Sequence, residues 1–267
     1  MKILVPVKQV AIIDEDCEIR DDGKNVDVDF LDYEINEWDN YSWELALNLQ
    51  ETYGENVEIV PLTVGPSEAE DVLLNCLAKG GKRGIRVWDD ALVDSDSFAI
   101  AQVIAKVAEH ENADYVLTGT LSSDYSFAAT GMCVAGLLNW AHAAVVSKVD
   151  ITPDAQQITV NRELEAGIEE EITVESPAVL SIQLGINEPR YASLRGIKQA
   201  KAKPIEVMSH KDFGLTDAEV GEMGSLSKVR KMYAPELSQA ELIEGTVAEQ
   251  AKRIAEIVKE LKGAHNE

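Results

Sequence analysis

The stretch Gly119-Thr-Leu-Ser-Ser-Asp-Tyr-Ser-Phe-Ala-Ala-Thr-Gly131 follows a short apolar run, Ala113–Thr118, and leads into small apolar residues, Phe127–Leu138. The first run predicts a buried strand and the second predicts a helix. A strand, a hydroxyl-rich loop and a helix start can together hold phosphate, because the first N–H groups of a helix lack partners and carry its positive dipole end. The same residues equally fit a capped turn that holds no ligand. Neither of the two common glycine-rich nucleotide fingerprints is present in this loop.

The chain ahead of this loop alternates between strand and helix patterns. Apolar runs predict strands at 2–7, 57–64 and 84–88, and helical spacing predicts helices at about 39–52, 67–79 and 96–109. Residues 11–29 form an acidic, hairpin-like excursion. The fold class predicted is therefore α/β, a Rossmann-like, mostly parallel sheet with flanking helices. Because ligands bind at the carboxyl ends of such strands, the strand ends near 7, 64 and 118 are expected to meet at one edge.

The local signals for helix ends are equally definite. Asp39 or Asn40 can cap the first helix, a Ser67–Glu70 capping box opens the second, and Gly80 ends it. After residue 144 the pattern changes to short strands at 145–149, 157–164 and 170–174, with Pro153-Asp154 as a turn, before a final buried strand at 178–184.

Composition excludes several classes of function. Asp and Glu number 48 against 24 Lys and Arg, and the net charge of −24 repels nucleic acid and anionic membranes. No apolar run is long enough to span a membrane, and the first residues already read as a strand, so we expect a cytoplasmic protein without membrane insertion. The three cysteines and four histidines are scattered, which predicts no metal site.

Residues 187–203 form a basic island in this acidic chain, with one acid, Glu188, against five Arg and Lys residues. The island is compatible with a solvated loop that leads into a helix. It is also compatible with a docking surface, in which Leu194 enters a partner's apolar pocket while basic residues steer the approach. The α/β domain is predicted to span residues 1–204 and thus to end just after this island.

The remaining segment, 205–267, is an extended arm of low apolar density that ends in an amphipathic helix at 246–262. This helix could close the chain's own core or reach a partner subunit. The sequence alone leaves both open.

Several segments together resemble the beta subunit of electron transfer flavoprotein. They are Ile3–Gln9, Asn36–Asp39, Leu77–Gly80, Gly119–Gly131 and, most specifically, Asn187–Ala200 with its Asn-x-Pro-Arg-Tyr-Ala-x-Leu motif. The resemblance covers essentially the whole chain. Four further segments, 88–90, 139–145, 183–187 and 243–246, look like the methylotroph type, which serves trimethylamine or dimethylamine dehydrogenase.

The resemblance implies an electron carrier subunit rather than an enzyme, working in a heterodimer with an alpha subunit. FAD is held mainly by the alpha subunit and covered on one side by the beta subunit, while a structural AMP lies within the beta subunit. Single electrons pass from a flavin dehydrogenase through the heterodimer to the respiratory chain. The arm, 205–267, is expected to pack on the alpha subunit.

The resemblance also implies the site residues. Residues 187–203 become the recognition loop, with Tyr191, Leu194 and Arg195 as docking residues, and Ala128, Ala129 and Thr130 would present the helix start to the phosphate. The predicted cofactor-binding residues are Pro6, Asn36, Glu37, Trp38, Asp39, Val64, Gly119, Thr120, Leu121, Ser122, Ser123, Asp124, Tyr125, Ser126, Phe127, Ala128, Ala129 and Thr130.

Two alternatives bind other nucleotides. Electron-bifurcating relatives hold a second FAD in place of AMP, but their loop signature is not visible in this sequence. A stand-alone ATP-binding or hydrolysing α/β protein of the universal-stress type would need a glycine-rich phosphate loop, and Gly80-Gly81-Lys82 is better interpreted as a helix end.

Overall fold

In the computed structural model, the described residues are 1–13, 17–27, 31–153, 156–234, 240 and 242–264. They form two compact units, Met1–Arg230 and Lys231–Glu267. The first unit contains eleven strands among its described residues: β1 (Lys2–Pro6), β2 (Gln9–Ala11), β3 (Tyr33–Ile35), β4 (Glu58–Val64), β5 (Gly84–Val87), β6 (Tyr115–Gly119), β7 (Ala141–Asp150), β8 (Gln157–Glu163), β9 (Glu169–Glu175), β10 (Ala178–Ile182) and β11 (Ile205–Met208).

Nine of these strands form one sheet in the order β11-β5-β4-β1-β6-β10-β7-β8-β9, while β2 and β3 pair separately. The pairings from β11 through β7 are parallel, and β7–β8 and β8–β9 are antiparallel. The predicted mostly parallel α/β fold is thus confirmed. The sheet places the carboxyl ends of β1, β4 and β6 beside one another.

The helices cover both faces of this sheet. They are α1 (Glu37–Tyr53), α2 (Glu70–Lys79), α3 (Ser97–Glu111), α4 (Thr130–Leu138), α5 (Leu194–Ala200) and α6 (Gly221–Gly224), followed in the second unit by α7 (Val247–Ala264). Alternate residues of β1 divide the core, because successive strand side chains point to opposite faces. Ile3 and Val5 pack with α1 and α2, whereas Leu4 packs with α3 and α4. Full burial of each such side chain contributes about 1.5–3 kcal/mol.

Three predicted helix starts are wrong, those of α1, α2 and α4. Helix α1 begins at Glu37, with Asn36 as its N-cap residue, because the side chain of Asp39 is buried against neighbouring loops instead of capping the helix. The Ser67 hydroxyl donates to the adjacent Glu68 carboxylate at 3.0 Å, so no capping box opens α2, which begins at Glu70 after a 3-10 turn. By contrast, Gly80 ends α2 as predicted, with its N–H donating to the Cys76 carbonyl.

Helix α4 begins at Thr130 rather than Phe127. Ser126 and Ala128 have φ angles of +54° and +51°, and this left-handed backbone cannot continue a right-handed helix. The residues from Phe127 to Ala129 therefore belong to the loop that follows β6.

Strand β7 is longer than its predicted core because it changes partners along its length. Its first half runs parallel to β10, and its second half runs antiparallel to β8. The antiparallel bridge between Ile19 and Val26, with a turn at Gly23, agrees with the predicted hairpin-like excursion. The rest of that excursion at 14–16 and 28–29, and Asp154 of the predicted turn, lie outside the described residues.

The predicted boundary after residue 204 requires correction. Strand β11 adds to the sheet by pairing with β5, and His210, Leu215 and Val220 are buried. The segment 205–230 is therefore part of the α/β unit, and the second unit begins at Lys231. In that unit, helix α7 matches the predicted terminal helix and exposes apolar side chains, including Val247, Ile254 and Leu261.

Candidate functional site

A cavity of about 500 Å³ lies at the carboxyl ends of β1, β4 and β6, lined there by Pro6, Val64 and Gly119. These are the strand ends that the sequence predicted to meet. The volume falls in the range of about 300–1,000 Å³ that is typical of small-molecule sites. The fold therefore provides a ligand-sized space where open α/β sheets bind their ligands.

The first turn of α1 ties the strand ends together. The Asp39 carboxylate accepts hydrogen bonds from the backbone N–H groups of Lys8 at 2.8 Å and Gly119 at 3.0 Å. The Asn36 amide donates to the Leu121 carbonyl at 2.9 Å and its oxygen accepts from the Ser123 N–H at 3.2 Å. Two adjacent side chains thus fix both the end of β1 and the loop after β6.

Asp39 is buried, and burial raises the pKa of its carboxyl group from 3.8 to about 6. Hydrogen bonds from Lys8, Asn36 and Gly119 oppose this shift by favouring the ionised form. At neutral pH the carboxylate is therefore ionised, as its two backbone donors require.

The start of α4 is suited to an anion. Its N-cap residue, Ala129, supplies no side-chain cap, and Ala128, Ala129 and Thr130 all line the cavity. Thr118 also lines the cavity, and its hydroxyl is buried with no hydrogen-bond partner among the described residues. The unpaired N–H groups at the start of a helix, with the positive end of its dipole, are suited to binding an anion.

Lys8 supports the outer side of the same loop. Its ammonium group lies 2.6 Å from the Asp124 carboxylate and 4.9 Å from the centre of the Tyr125 ring. The Tyr125 ring is in turn stacked with Phe127 at 5.9 Å. Lys8 is not among the predicted site residues, although the sequence places this cation directly after the strand end.

The other walls are apolar, or come from a segment far away in the sequence. Leu62, Trp88, Leu92, Ile100 and Ile104 supply apolar surface that suits a flat aromatic ring. A strap, which we define as residues 221–229, contributes Glu222, Ser227, Lys228 and Val229. Sequence reasoning missed the strap because its residues carry no periodic apolar pattern.

Asp96 joins this strap to α3. One carboxylate oxygen caps α3 by accepting from the N–H groups of Phe98 and Ala99, at 3.0 and 2.9 Å. The other accepts from the N–H groups of Leu226 and Ser227, at 2.9 and 2.8 Å. Burial alone would raise the pKa of Asp96, but these hydrogen bonds outweigh it and lower the pKa.

Thirteen of the eighteen predicted cofactor-binding residues line the cavity, and five do not. The five have other surroundings: Trp38 donates to Gln183, Asp124 pairs with Lys8, the Ser126 hydroxyl donates to the Ser122 carbonyl, the Ser123 N–H donates to Asn36, and Glu37 is exposed.

The three predicted docking residues lie elsewhere and are all exposed. Tyr191 is 97% and Leu194 86% exposed, and Arg195 follows in the first turn of α5. Such large exposed apolar side chains, close together and beside basic residues, are typical of a surface that meets another protein.

Two features are absent from the described part of the chain. No helix there is long and apolar enough to cross a membrane, and no three His, Cys, Asp or Glu side chains there are grouped as metal ligands.

Comparison with known proteins identifies the family. Residues 27–213 match the model of the electron transfer flavoprotein domain. The chain is 50% identical over 264 residues to the electron transfer flavoprotein subunit beta of Methylophilus methylotrophus, covering 99% of this chain and 100% of that protein. It is 34% identical over 215 residues to the subunit of the same name from Bradyrhizobium diazoefficiens. It is 33% identical over 217 residues to the one from Bos taurus. Each of these two matches covers 80% of this chain and 84% of the relative. The chain therefore belongs to the beta subunits of electron transfer flavoproteins and, within them, to the methylotroph type.

Proposed function

We propose that the cavity binds AMP as a structural nucleotide. The observation that carries this proposal is the start of α4, which has no side-chain cap and lines the cavity through Ala128, Ala129 and Thr130. A phosphate at the start of α4 would accept hydrogen bonds from its free N–H groups and be stabilised by the helix dipole. The Thr130 hydroxyl would add a donor.

The apolar wall would take the adenine ring. Trp88, Leu92 and Ile100 lie in the wall formed by the elements after β5, and the strap adds Val229. A planar base would there be enclosed by carbon surface while the phosphate stays at the polar end. The two ends of the cavity thus match the two chemically different ends of a nucleoside monophosphate.

In this proposal the chain is an electron carrier subunit that pairs with an alpha subunit. FAD supplies the redox chemistry and is held mainly by the alpha subunit, with this chain covering one side of it. The chain's own residues then have to bind the nucleotide, shape the surface over the flavin and present a docking surface. Electrons enter from a dehydrogenase and leave to the respiratory chain.

The proposed donor is a trimethylamine- or dimethylamine-type dehydrogenase. Support comes from the extent of similarity to the Methylophilus methylotrophus protein and from the exposed docking residues Tyr191, Leu194 and Arg195. Leu194 would enter an apolar pocket of the dehydrogenase, while the basic residues around it attract an acidic partner surface.

The second unit would pack against the alpha subunit. Helix α7 exposes an apolar stripe, with Val247 82% and Leu261 66% exposed, which suits burial against another protein. Deleting residues 231–267 is expected to abolish copurification of the alpha subunit, whereas the α/β unit keeps its complete sheet. An intact heterodimer after this deletion would contradict the assignment.

The deciding experiment identifies the nucleotides released from the purified, denatured heterodimer by chromatography and mass. One AMP and one FAD per heterodimer are expected. Two FAD and no AMP would replace the proposal with the electron-bifurcating type. ATP or ADP without flavin would favour a stand-alone nucleotide-binding protein.

A further inference from the structure

The exposed docking residues project from a segment that is fixed at its base. Arg190, next to Tyr191, directs its guanidinium at two glutamates of α1. It meets the buried Glu44 carboxylate at 2.8 Å through one amino nitrogen and at 2.9 Å through Nε, and it also pairs with Glu51. The Arg190 N–H donates to the same Glu44 carboxylate at 3.0 Å. One arginine therefore joins the loop to α1 through both its backbone and its side chain.

Further contacts hold the segment on either side of Arg190. The Asn187 amide donates to the Tyr41 carbonyl at 3.1 Å, again on α1. Lys203 donates to the carbonyl groups of Leu77 and Gly81, both at 2.7 Å, at the end of α2. Gly196 lies so close to the Ala78 carbonyl that any side chain there would clash with it. Only the residues between these contacts, which include Tyr191 and Leu194, are left exposed.

We propose that Arg190 is a positioning residue for docking: its pairing with Glu44 and Glu51 holds the loop in the shape in which Leu194 and Tyr191 meet the dehydrogenase. This inference rests on the docking role proposed above for Leu194. A loop held before the encounter loses less conformational entropy on binding than a loop that must become ordered. Arginine suits this task because its planar fork makes several directed hydrogen bonds to carboxylates, which lysine cannot reproduce.

The same helix serves both functional regions. At the start of α1, Asn36 and Asp39 hold the end of β6 and the loop after it, and Glu44 and Glu51 on later turns hold Arg190. Arg190 therefore places the docking residues relative to the element that also defines the nucleotide cavity.

A first experiment needs no partner dehydrogenase. Amide hydrogen exchange of the purified heterodimer is compared between the wild type and Arg190→Gln. Peptides covering 188–200 are expected to exchange at least about tenfold faster in the variant, while peptides of the central strands keep their protection. Unchanged exchange at 188–200 would overturn the proposal.

A second experiment measures the bimolecular rate constant of electron transfer from reduced trimethylamine dehydrogenase by stopped flow. Leu194→Ala and Arg190→Gln are each expected to lower it about tenfold, and the double variant is expected to resemble Leu194→Ala alone. If Arg190→Gln has no effect, or if the two effects simply multiply, Arg190 does not act through Leu194.

Three more variants complete the design. Arg190→Lys keeps the charge but not the fork, so it is expected to remain slow, and full recovery would overturn the argument from geometry. Glu51→Gln breaks only the outer half of the pairing, so it is expected to give an intermediate rate. Because buried Glu44 keeps its Arg190 partner in this variant, the test does not depend on whether Arg190→Gln folds. Lys106→Gln removes an exposed cation that pairs with Glu109 on α3, and it is the control expected to leave the rate unchanged.

The two proposals can fail separately. If Leu194→Ala leaves the rate constant unchanged, the docking role of Leu194 fails. The exchange experiment then still decides whether Arg190 holds the loop.

Discussion

Two loops leave the same edge of the sheet from neighbouring parallel strands, and they differ in where they place their side chains. The cavity loop, Thr120–Ala129, follows β6 and leads into α4; the docking loop, Gln183–Ser193, follows β10 and leads into α5. Seven of the ten cavity-loop residues line the cavity. The docking loop and the start of α5 instead expose Tyr191 and Leu194.

The difference lies in how α1 holds each loop. In the cavity loop, Asn36 binds backbone groups of Leu121 and Ser123, and Asp39 binds the N–H of Gly119 directly before the loop. The loop's own side chains and the start of α4 therefore remain available to a ligand. In the docking loop, α1 binds the side chains of Asn187 and Arg190 and the N–H of Arg190, while Tyr191 projects outward. A loop that the helix holds only by its backbone keeps its side chains free to line a cavity, whereas a loop held mainly by anchored side chains can present the residues beside them to another protein.

The largest effect is expected for Gly119→Ala, which disrupts the contact between α1 and the strand end that leads into the cavity loop. In Gly119→Ala the new methyl group would overlap the Asp39 carboxylate and lie 2.6 Å from Cβ of Trp38. Because helix and strand end cannot both keep their positions, we expect a loss of about 3 kcal/mol in the free energy of unfolding, with loss of the nucleotide proposed to bind there. Urea unfolding and nucleotide analysis of the heterodimer measure both effects.

Gly136→Ala is the matched control. Gly136 lies within α4, and a Cβ there would meet nothing within 4 Å. Because alanine favours a helix interior over glycine by about 1 kcal/mol, this variant should be slightly more stable than the wild type. Equal losses in both variants would show that the close approach at Gly119 is not the cause.

The sequence was most informative where local pattern and tertiary structure agree. Strands β1, β4 and β6 are continuous apolar runs because both faces of the sheet are covered, and such runs predict parallel strands without any knowledge of their neighbours. The meeting of their ends followed from the same rule. A charge contrast marked residues 187–203, since basic residues stand out in a chain with a net charge of −24, but the choice of Tyr191, Leu194 and Arg195 as docking residues came from the family resemblance.

The sequence could not show contacts that depend on distant residues. Asp39 was predicted as a helix cap, but its carboxylate binds the N–H of Gly119, 80 positions later. The strap reaches the cavity through Asp96, about 130 positions earlier in the chain. Neither role leaves a periodic pattern, because a hydrogen bond to a backbone N–H requires only one suitable side chain. The late start of α4 depends on left-handed residues, Ser126 and Ala128, that are not glycines.

A pH experiment sharpens the role of Asp39. Burial raises its pKa from 3.8 to about 6, so ionising this group in the folded protein costs free energy as the pH rises through 6. The contribution of Asp39 to stability is therefore fully present below pH 3.8 and is lost between about pH 4 and 6. At neutral pH, the free energy of unfolding is therefore lower by about 3 kcal/mol than it would be with an unshifted pKa.

The measurement compares wild type with Asp39→Asn, which does not titrate. The difference in free energy of unfolding, wild type minus variant, should fall between pH 4 and 6 and become flat above pH 7. The variant should also be less stable at neutral pH, because one amide oxygen cannot accept both backbone hydrogen bonds. A difference independent of pH would refute the raised pKa.

A smaller effect is expected from Asp96 variants, which release the strap from α3. In Asp96→Asn the remaining oxygen can still cap α3, but the amide group cannot accept from the N–H groups of Leu226 and Ser227. We expect a stability loss of about 1 kcal/mol and faster release of the bound nucleotide. Asp96→Ala removes the cap as well and should cost about 2 kcal/mol. Release rates are measured by exchange against labelled AMP, and equal rates in Asp96→Asn and wild type would show that the strap does not retain the nucleotide.

The smallest expected change in stability is at the docking loop. Leu194 is 86% exposed, so Leu194→Ala removes almost no buried surface and should change the free energy of unfolding by less than about 0.5 kcal/mol. The nucleotide content should also be unchanged, because the cavity is lined by other residues. Thermal unfolding and nucleotide analysis of the variant heterodimer test this. A clear loss of stability or of nucleotide would mean that Leu194 supports the fold, and the contrast between a loop that lines a cavity and a loop that faces a partner would no longer hold.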